Sequence, residues 1–433
     1  MIKRIEIDGY RLLNGFAADL RALTVVIGAN AVGKSTLLDC LQLISQCSDS
    51  SLNTVIGCHW GAASILTAGK ADNKLAWRIT VTKPTAEFWN QVPLQEDRPL
   101  VYEVVLQADS QGQVRPQYEV LRKPEPAQGY QEAYKFLEAT PYRRMILDRK
   151  THQLVPFDEA QPSPTVVRES DSTEIVPIGN GLPKAAQQEV ALLLSQIRFF
   201  NEFPIPSAVR VLLANMAVYP GFDITRYSVL RTKAAEIRPV PTLASNGENL
   251  GTVLHDLLTR YDFKTVADEL RDFLRVAYPT FEDITCETTF GAPPQVLVRV
   301  RERGMPRSIE LWELSDGMLR FLCLATALLN PMAPPLVAID EPELGLHPRL
   351  LPIVGDMIKS AAERTQVLVT THSPDLLNRF DISDVVVMAR AEDEPRALWH
   401  RPADRKTLVR MLKEVSGETL GDLHRSGELE AGA

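Results

Sequence analysis

The stretch Gly28-Ala29-Asn30-Ala31-Val32-Gly33-Lys34-Ser35 follows the apolar run Leu23–Ile27 and precedes a helix-like segment that starts at Thr36. This order of strand, glycine-bounded loop and helix is typical of a phosphate-binding P-loop. The glycines let the backbone curl around an anion, and the following helix N-terminus adds partial positive charge. Lys34 would reach the β- and γ-phosphates of a nucleotide, and Ser35 would ligate Mg²⁺. The predicted nucleotide-binding residues of this stretch are Gly28, Ala29, Asn30, Gly33, Lys34, Ser35 and Thr36.

The composition is that of an ordinary globular protein. The chain has 433 residues, 45% of them hydrophobic and 24% charged, which allows two or three domains or one large domain with an insertion. No apolar run approaches the roughly 20 residues that span a bilayer, and the alternating N-terminus is unlike a secretory signal. The five cysteines form no CxxC pair, which favours a reducing, cytoplasmic location and argues against a zinc site. The net charge of −8 gives no general attraction to nucleic acid, although a local basic face could still exist.

Periodicity divides the chain into a nucleotide-binding part and an insertion. We predict an α/β fold with P-loop topology, an antiparallel side sheet and a mainly helical insertion. The head would comprise residues 1–125 and 280–433, and the insertion residues 126–279. The predicted strands are 2–8, 23–27, 75–81, 100–106, 114–121, 295–300 and 307–311. The predicted helices are 34–46, 182–199, 206–219, 249–261 and 264–276, with loop and short elements over 125–180.

A second phosphate-binding feature is predicted near residue 315. The segment Leu314-Ser315-Asp316-Gly317-Met318 precedes an apolar helix, and Ser315 is placed as its N-cap. By itself this is only a good helix cap. In a P-loop protein, however, the Ser315 hydroxyl and the Gly317 amide at a helix N-terminus can bind a γ-phosphate.

Two further apolar runs end in residues with catalytic chemistry. Leu336–Ile339 leads into Asp340 and Glu341, and Gln366–Thr370 leads towards His372. Asp340 would hold Mg²⁺ together with the P-loop serine, Glu341 would polarise the attacking water, and His372 would donate to the γ-phosphate. We expect these two strands and strand 23–27 to be parallel neighbours, because ligands in open α/β sheets bind where the carboxyl ends of strands meet. The predicted catalytic residues are Glu341, His372 and Lys34, and the predicted metal ligands are Ser35 and Asp340.

These motifs resemble the ABC-type ATPase heads of the group that includes RecF, the structural-maintenance-of-chromosomes (SMC) proteins and OLD. Residues 28–35 match the Walker A motif, 314–318 the signature, 336–341 the Walker B motif, and His372 the switch histidine. The segment Ile-Asp-Glu-Pro-Glu-Leu-Gly-Leu-His-Pro (339–348) looks most like the compact bacterial "predicted ATPase" proteins, the AAA_21-like group. The opening strand and its Tyr10-Arg11 pair also look like that group, in which the pair lies near the nucleotide, so the resemblance adds Arg11 to the site.

The resemblance implies ATP and Mg²⁺ as cofactors and a homodimer or higher oligomer in which the signature of one copy completes the ATP site of another. The sequence departs from the group in lacking the long coiled-coil arm of SMC proteins and a Toprim nuclease domain, so we do not expect the chain alone to cut DNA. No Q-loop glutamine is evident: Gln42 and Gln46 lie in the Walker A helix, and residues 57–60 are only a positional candidate.

Three functional interpretations stay open at this stage. The first is a DNA-linked ATPase switch in repair or antiphage defence, acting with a separate nuclease or effector protein. The second is an ATP-gated module that regulates a protein and binds no nucleic acid. The third, the ATP subunit of a transporter, is disfavoured because Leu-Ser-Asp-Gly replaces Leu-Ser-Gly-Gly-Gln and the insertion is large. Alternating arginines at 299, 301, 303 and 307 weakly favour DNA, and the acidic balance weakly favours a protein partner.

Overall fold

The structure is a computed structural model that describes residues 1–84, 92–126, 133–157, 190–232, 234–237, 242–289, 294–392, 394–405, 408–409, 412 and 419–430. Within these ranges no helix has both the length and the apolar character needed to cross a bilayer.

The strands and helices are numbered in chain order. The strands are β1 (Ile2–Asp8), β2 (Phe16–Asp19), β3 (Leu23–Ile27), β4 (Lys74–Val81), β5 (Leu100–Ala108), β6 (Val114–Pro126), β7 (Ala133–Thr140), β8 (Arg143–Leu147), β9 (Leu154–Pro156), β10 (Ala217–Tyr219), β11 (Ala235–Glu236), β12 (Phe281–Thr289), β13 (Gln295–Glu302), β14 (Ile309–Glu310), β15 (Leu336–Asp340), β16 (Gln366–Thr370), β17 (Val385–Arg390) and β18 (Ala397–His400). The helices are α1 (Lys34–Cys47), α2 (Leu52–Cys58), α3 (Ala62–Ile65), α4 (Leu193–Gln196), α5 (Pro204–Ala214), α6 (Val229–Thr232), α7 (Leu250–Thr259), α8 (Lys264–Ala277), α9 (Asp316–Leu329), α10 (Leu351–Arg364), α11 (Pro374–Leu377) and α12 (Leu420–Arg425).

A six-stranded sheet forms the centre of the fold. Its order is β10-β15-β16-β3-β17-β18, and all neighbours are parallel except the antiparallel β17–β18 pair. Strands β3 and β16 are buried along their whole length, which explains their predominantly apolar sequences. The predicted adjacency of strands 23–27, 336–339 and 366–370 is confirmed.

Successive residues along a central strand pack into two different hydrophobic cores, one on each face of the sheet. In β3, Val26 packs into a core shared with α1 and the antiparallel strands, whereas Val25 and Ile27 pack into a core shared with α9 and α10. The central sheet is therefore covered on both faces, and only its edges remain accessible. This places the predicted motifs, which follow β3, β15 and β16, at the carboxyl edge of a rigid sheet.

An eight-stranded antiparallel sheet, in the order β2-β1-β4-β5-β6-β7-β8-β9, lies beside the central one. Strands β1, β4, β5 and β6 agree with the predicted side sheet. The prediction of loop over 125–180 is wrong for residues 133–156, where β7, β8 and β9 extend this sheet. The predicted boundary between head and insertion falls at the end of β6, so the sheet continues past it.

The central part of the chain contains both helices and strands. The predicted helices 249–261 and 264–276 are present as α7 and α8, which pack on the β12–β13 hairpin. The helix predicted for 206–219 ends at Ala214, and its last three residues form β10 beside the Walker B strand. Of the helix predicted for 182–199, residues 182–189 lie outside the described residues and only Leu193–Gln196 is helical in the rest.

Candidate nucleotide-binding and catalytic site

The P-loop connects β3 directly to α1. Gly28 has a φ of 144° and Gly33 a φ of 109°, a region that favours glycine. A Cβ atom on Gly28 would lie 2.1 Å from the carbonyl oxygen of Met388 in β17, so this position has no room for a side chain. Ala29, Asn30 and Ser35 are exposed, and Thr36 is half-buried in the first turn of α1. The loop therefore leaves its predicted phosphate-binding face open to solvent.

Lys34 lies at the centre of the site. Its side chain is 6% exposed, and its ammonium group donates hydrogen bonds of 2.8 Å to the carbonyl oxygens of Gly28 and Ala29. Burial lowers the pKa of Lys34, whereas Glu341, Asp340 and Glu343 raise it. The structure thus brings the P-loop lysine within electrostatic reach of the acidic segment more than 300 residues later in the sequence.

Asp340 is the last residue of β15 and Glu341 follows it; β15 is separated from β3 only by β16, a distance of about 10 Å between strand axes. The Thr370 hydroxyl at the end of β16 donates to Asp340 Oδ1. The Glu341 amide donates to the carbonyl oxygen and the hydroxyl of the same threonine, both at 3.1 Å. Glu341 has a φ of 45°, an uncommon conformation for a residue with a side chain. Thr370, itself fully buried, therefore fixes both the carboxylate of Asp340 and the strained backbone of Glu341.

His372 lies next to the proposed base. Its Nε2 atom is 3.5 Å from Glu341 Oε1. Burial and the positive charge of Lys34 lower the pKa of His372, which Glu341 and Glu343 partly oppose. The imidazole is therefore mainly neutral at pH 7, and a neutral ring has one N–H that can donate to a phosphate oxygen.

Arg11 lies on the flank of the Walker A helix. Its guanidinium donates to Asp39 Oδ2 of α1 at 2.6 Å and to the carbonyl oxygen of Ser64 at 3.1 Å. The next residue, Leu12, approaches to within 3.8 Å of where a Cβ on Gly33 would lie. The hydrogen bonds of Arg11 thus place it beside α1, next to the end of the P-loop.

Ser315 and Gly317 form the N-terminus of α9, as predicted. Ser315 Oγ accepts a hydrogen bond of 3.3 Å from the Met318 amide, and Asp316 pairs with Arg231. In the described part of the chain, the hydrogen bonds and ion pairs of residues 315–317 go to their own helix and to Arg231, and none joins them to residues 28–36. Within the residues that the structure describes, the signature is therefore not hydrogen-bonded to the P-loop of its own chain.

Two site residues were missed from the sequence, Thr370 and Glu343. Glu343 Oε1 accepts three hydrogen bonds from residues 371–373, described below. The repeated hydroxyls in Thr370-Thr371-His372-Ser373 and the third acid in Asp-Glu-Pro-Glu were the available signals. The positional Q-loop candidate 57–60 lies at the end of α2, where His59 is 3.1 Å from Gln46 of α1.

Comparisons with known proteins find similarity to ATPase domains and to a DNA repair protein. Residues 211–378 match the family model described as "AAA domain, putative AbiEii toxin, Type IV TA system", and residues 1–91 match "AAA ATPase domain". The DNA repair protein RecN of Rickettsia bellii is 28% identical over 109 residues, and that of Rickettsia typhi is 32% identical over 111 residues. Each match covers 25% of this chain but only 18% and 19% of the relative, so the chain is similar to a small part of RecN.

Solved structures with a similar fold include SMC heads. The head bound to the C-terminal domain of ScpA from Pyrococcus furiosus has a TM-score of 0.51 at 11% identity, covering 95% of this chain and 99% of that one. The head with coiled coil and joint from Pyrococcus yayanosii has a TM-score of 0.51 at 9% identity, covering 96% and 99%. At these identities the likeness concerns the fold.

The fold and the convergent motifs define an α/β P-loop protein with the architecture of an ABC-type ATPase head. The two family matches and the local similarity to RecN agree with the resemblance to the RecF and SMC group that the sequence motifs predicted, and the SMC heads agree in fold.

Proposed function

We propose that the protein binds and hydrolyses Mg²⁺-ATP as a switch whose heads engage face to face when ATP is bound. The observation that supports this most strongly is the meeting of three separate motifs at one sheet edge. Lys34, the carboxylates of Asp340 and Glu341, and the His372 ring interact there. Phosphoryl transfer needs little covalent chemistry from the protein, so positioned charges of this kind are sufficient for catalysis.

Each residue has a proposed role in the reaction. The P-loop amides and Lys34 hold the β- and γ-phosphates, and Ser35 and Asp340 hold Mg²⁺. Glu341 orients and deprotonates the attacking water, and His372 donates to the γ-phosphate. Arg11 contributes from the flank of α1 to nucleotide binding. The exposed Ala29 and Asn30 complete the loop around the phosphates.

Engagement of two heads follows from the position of the signature. Ser315 and Gly317 lie at the N-terminus of a helix, where backbone amides can bind an anion, and the hydrogen bonds and ion pairs described for residues 315–317 go to that helix and to Arg231. We infer that they bind the γ-phosphate held by a second copy. The proposed unit is therefore at least a homodimer whose two ATP sites each combine the P-loop of one chain with the signature of the other.

For the biological process, we propose DNA repair or antiphage defence together with a separate nuclease or effector protein in the cytoplasm. The similarity to RecN supports a link to DNA. The second candidate is an ATP-gated module that regulates a protein and binds no nucleic acid, which the net charge of −8 favours. The proposed division remains a head of residues 1–125 and 280–433 and an insertion of residues 126–279, with β7–β9 and β10 of the insertion joining the sheets of the head.

The test is an ATPase assay on the purified protein with and without duplex DNA over a range of salt concentrations. We expect Mg²⁺-dependent turnover in the wild type and none in Lys34→Ala. Stimulation by DNA that declines steeply with salt supports the DNA-linked function. Turnover that is indifferent to DNA supports the protein-regulating function. A folded wild type without turnover under any of these conditions contradicts the proposal.

A further inference from the structure

The acidic turn after β15 carries a third carboxylate, Glu343, which has no part in the reaction described above. The turn is closed by hydrogen bonds from the Leu344 amide to the Glu341 carbonyl at 3.0 Å and from the Leu346 amide to the Glu343 carbonyl at 3.1 Å. The left-handed conformation of Glu341 and the fixed ring of Pro342 redirect the chain within two residues. As a result, the Glu343 side chain reaches the end of the neighbouring strand β16.

A single oxygen of Glu343 binds the segment that carries the switch histidine. Glu343 Oε1 accepts hydrogen bonds from the Thr371 hydroxyl at 2.7 Å, the His372 amide at 2.8 Å and the Ser373 amide at 3.2 Å. Hydrogen bonds to an ionised acceptor are roughly twice as strong as neutral ones. The three hydrogen bonds come from one side-chain hydroxyl and two backbone amides on consecutive residues, and together they restrain the segment around His372.

The Glu343 side chain links the chain segment of Glu341 to the backbone of His372. Glu343 lies two residues after Glu341, and its oxygen binds the amide of His372, whose ring is 3.5 Å from the Glu341 carboxylate. Thr370, two residues before His372, forms a second connection of this kind through its hydrogen bonds with Asp340 and Glu341. The position of the imidazole relative to the proposed base therefore depends on Glu343.

We propose that Glu343 is a positioning residue that holds residues 371–373, and with them the His372 ring, in register with Glu341 for ATP hydrolysis. The inference rests on the proposed ATPase function and adds a residue to it. Glu343 acts through His372 and contacts no substrate. Burial lowers the pKa of both His372 and Lys34, and the negative charge of Glu343 partly opposes this lowering, as expected from its position near both groups.

The experiment compares Glu343→Ala, Glu343→Gln and the wild type for ATP affinity, kcat, KM and thermal unfolding. Glu343→Ala removes the acceptor oxygen, whereas Glu343→Gln keeps an acceptor oxygen on a side chain of the same length. Glu363→Ala, which replaces an exposed acid on α10, is the matched control and should behave as the wild type. Small displacements of catalytic groups are costly, so we expect kcat of Glu343→Ala to fall by at least about tenfold.

The pattern of these measurements across the variants identifies the role of Glu343. Positioning predicts a loss of kcat in Glu343→Ala, ATP affinity within about threefold of wild type, and a clearly higher kcat in Glu343→Gln than in Glu343→Ala. Wild-type kcat in Glu343→Ala overturns the proposal, as does a loss of ATP affinity equal to the loss of kcat, or a Glu343→Gln variant as impaired as Glu343→Ala. A wild type without turnover would instead refute the proposed ATPase function, so the two failures are distinguishable.

Discussion

Substitution of Thr370 by valine tests the hydrogen bonds that hold the acidic pair. The Thr370 hydroxyl donates to Asp340 and accepts from the Glu341 amide, and the side chain is fully buried. Valine has nearly the same shape but no hydroxyl, so the Asp340 carboxylate loses its donor while the backbone bond from Glu341 to the Thr370 carbonyl remains. The variant therefore tests how much the hydroxyl contributes to the orientation of the two carboxylates, separately from the backbone hydrogen bond.

The size of the effect follows from the type of bond. A hydrogen bond to a charged group contributes about 1.5–3 kcal/mol, and 1.4 kcal/mol corresponds to a factor of ten in an equilibrium constant. Removing the bond to Asp340 should therefore weaken an equilibrium that depends on it by at most roughly 10- to 100-fold. If Asp340 ligates Mg²⁺, the Mg²⁺ concentration for half-maximal ATP turnover should rise by about tenfold or more. Thr370→Ser keeps the hydroxyl and should stay close to the wild type.

The assay is a Mg²⁺ titration of ATP turnover at saturating ATP, with thermal unfolding measured on each variant. A Thr370→Val protein that remains folded and shows the wild-type Mg²⁺ dependence would refute the reasoning. So would equal losses in Thr370→Val and Thr370→Ser, because these would assign the effect to packing and not to the hydroxyl.

Three further predictions concern the base, the histidine and the C-terminal helix. Glu341→Gln should keep ATP binding, abolish turnover and accumulate a dimer in light scattering with ATP; normal hydrolysis would show that Glu341 is not the base. Because burial lowers the pKa of His372, the unfolded chain binds this proton more readily, so acidification below pH 6.5 should destabilise the wild type more than His372→Gln in denaturant titrations; equal pH slopes would contradict this. A Cβ on Gly421 would lie 2.6 Å from the Pro374 carbonyl oxygen, so Gly421→Ala should lower the stability by about 1–3 kcal/mol. Gly57→Ala, at a helical site with nothing within 4 Å, should be neutral or stabilising, and similar unfolding for the two alanine variants would refute the packing argument.

The elements that the sequence predicted well are those whose signal is local. β3, β15 and β16 are short, predominantly apolar runs because both faces of the central sheet are covered. The motifs at their ends define the sheet edge, since parallel neighbours end on the same side. The P-loop could be identified without any knowledge of distant contacts, because its glycine spacing and helix start lie within eight residues.

The missed elements depend on contacts between distant residues. The half-exposed pattern of β7 resembles a loop until it is paired with β6, and β10 has only three residues, which continue the apolar run of α5. Thr370 donates a hydrogen bond to Asp340, and Glu343 accepts hydrogen bonds from residues 371–373. These bonds join positions 28 to 30 residues apart at the ends of two strands, and the sequence does not define the register of those strands. For that reason the motifs indicated the candidate catalytic groups but not the residues that hold them in place.

The most direct test of the central claim is an equilibrium titration of the folded protein with ATP, with and without Mg²⁺. If the P-loop, the acidic pair and His372 form one nucleotide site, the wild type binds ATP saturably, Mg²⁺ tightens binding, and Lys34→Ala weakens it at least tenfold without unfolding. A folded wild type that does not bind ATP, or a Lys34→Ala variant that binds it as tightly, would contradict the account.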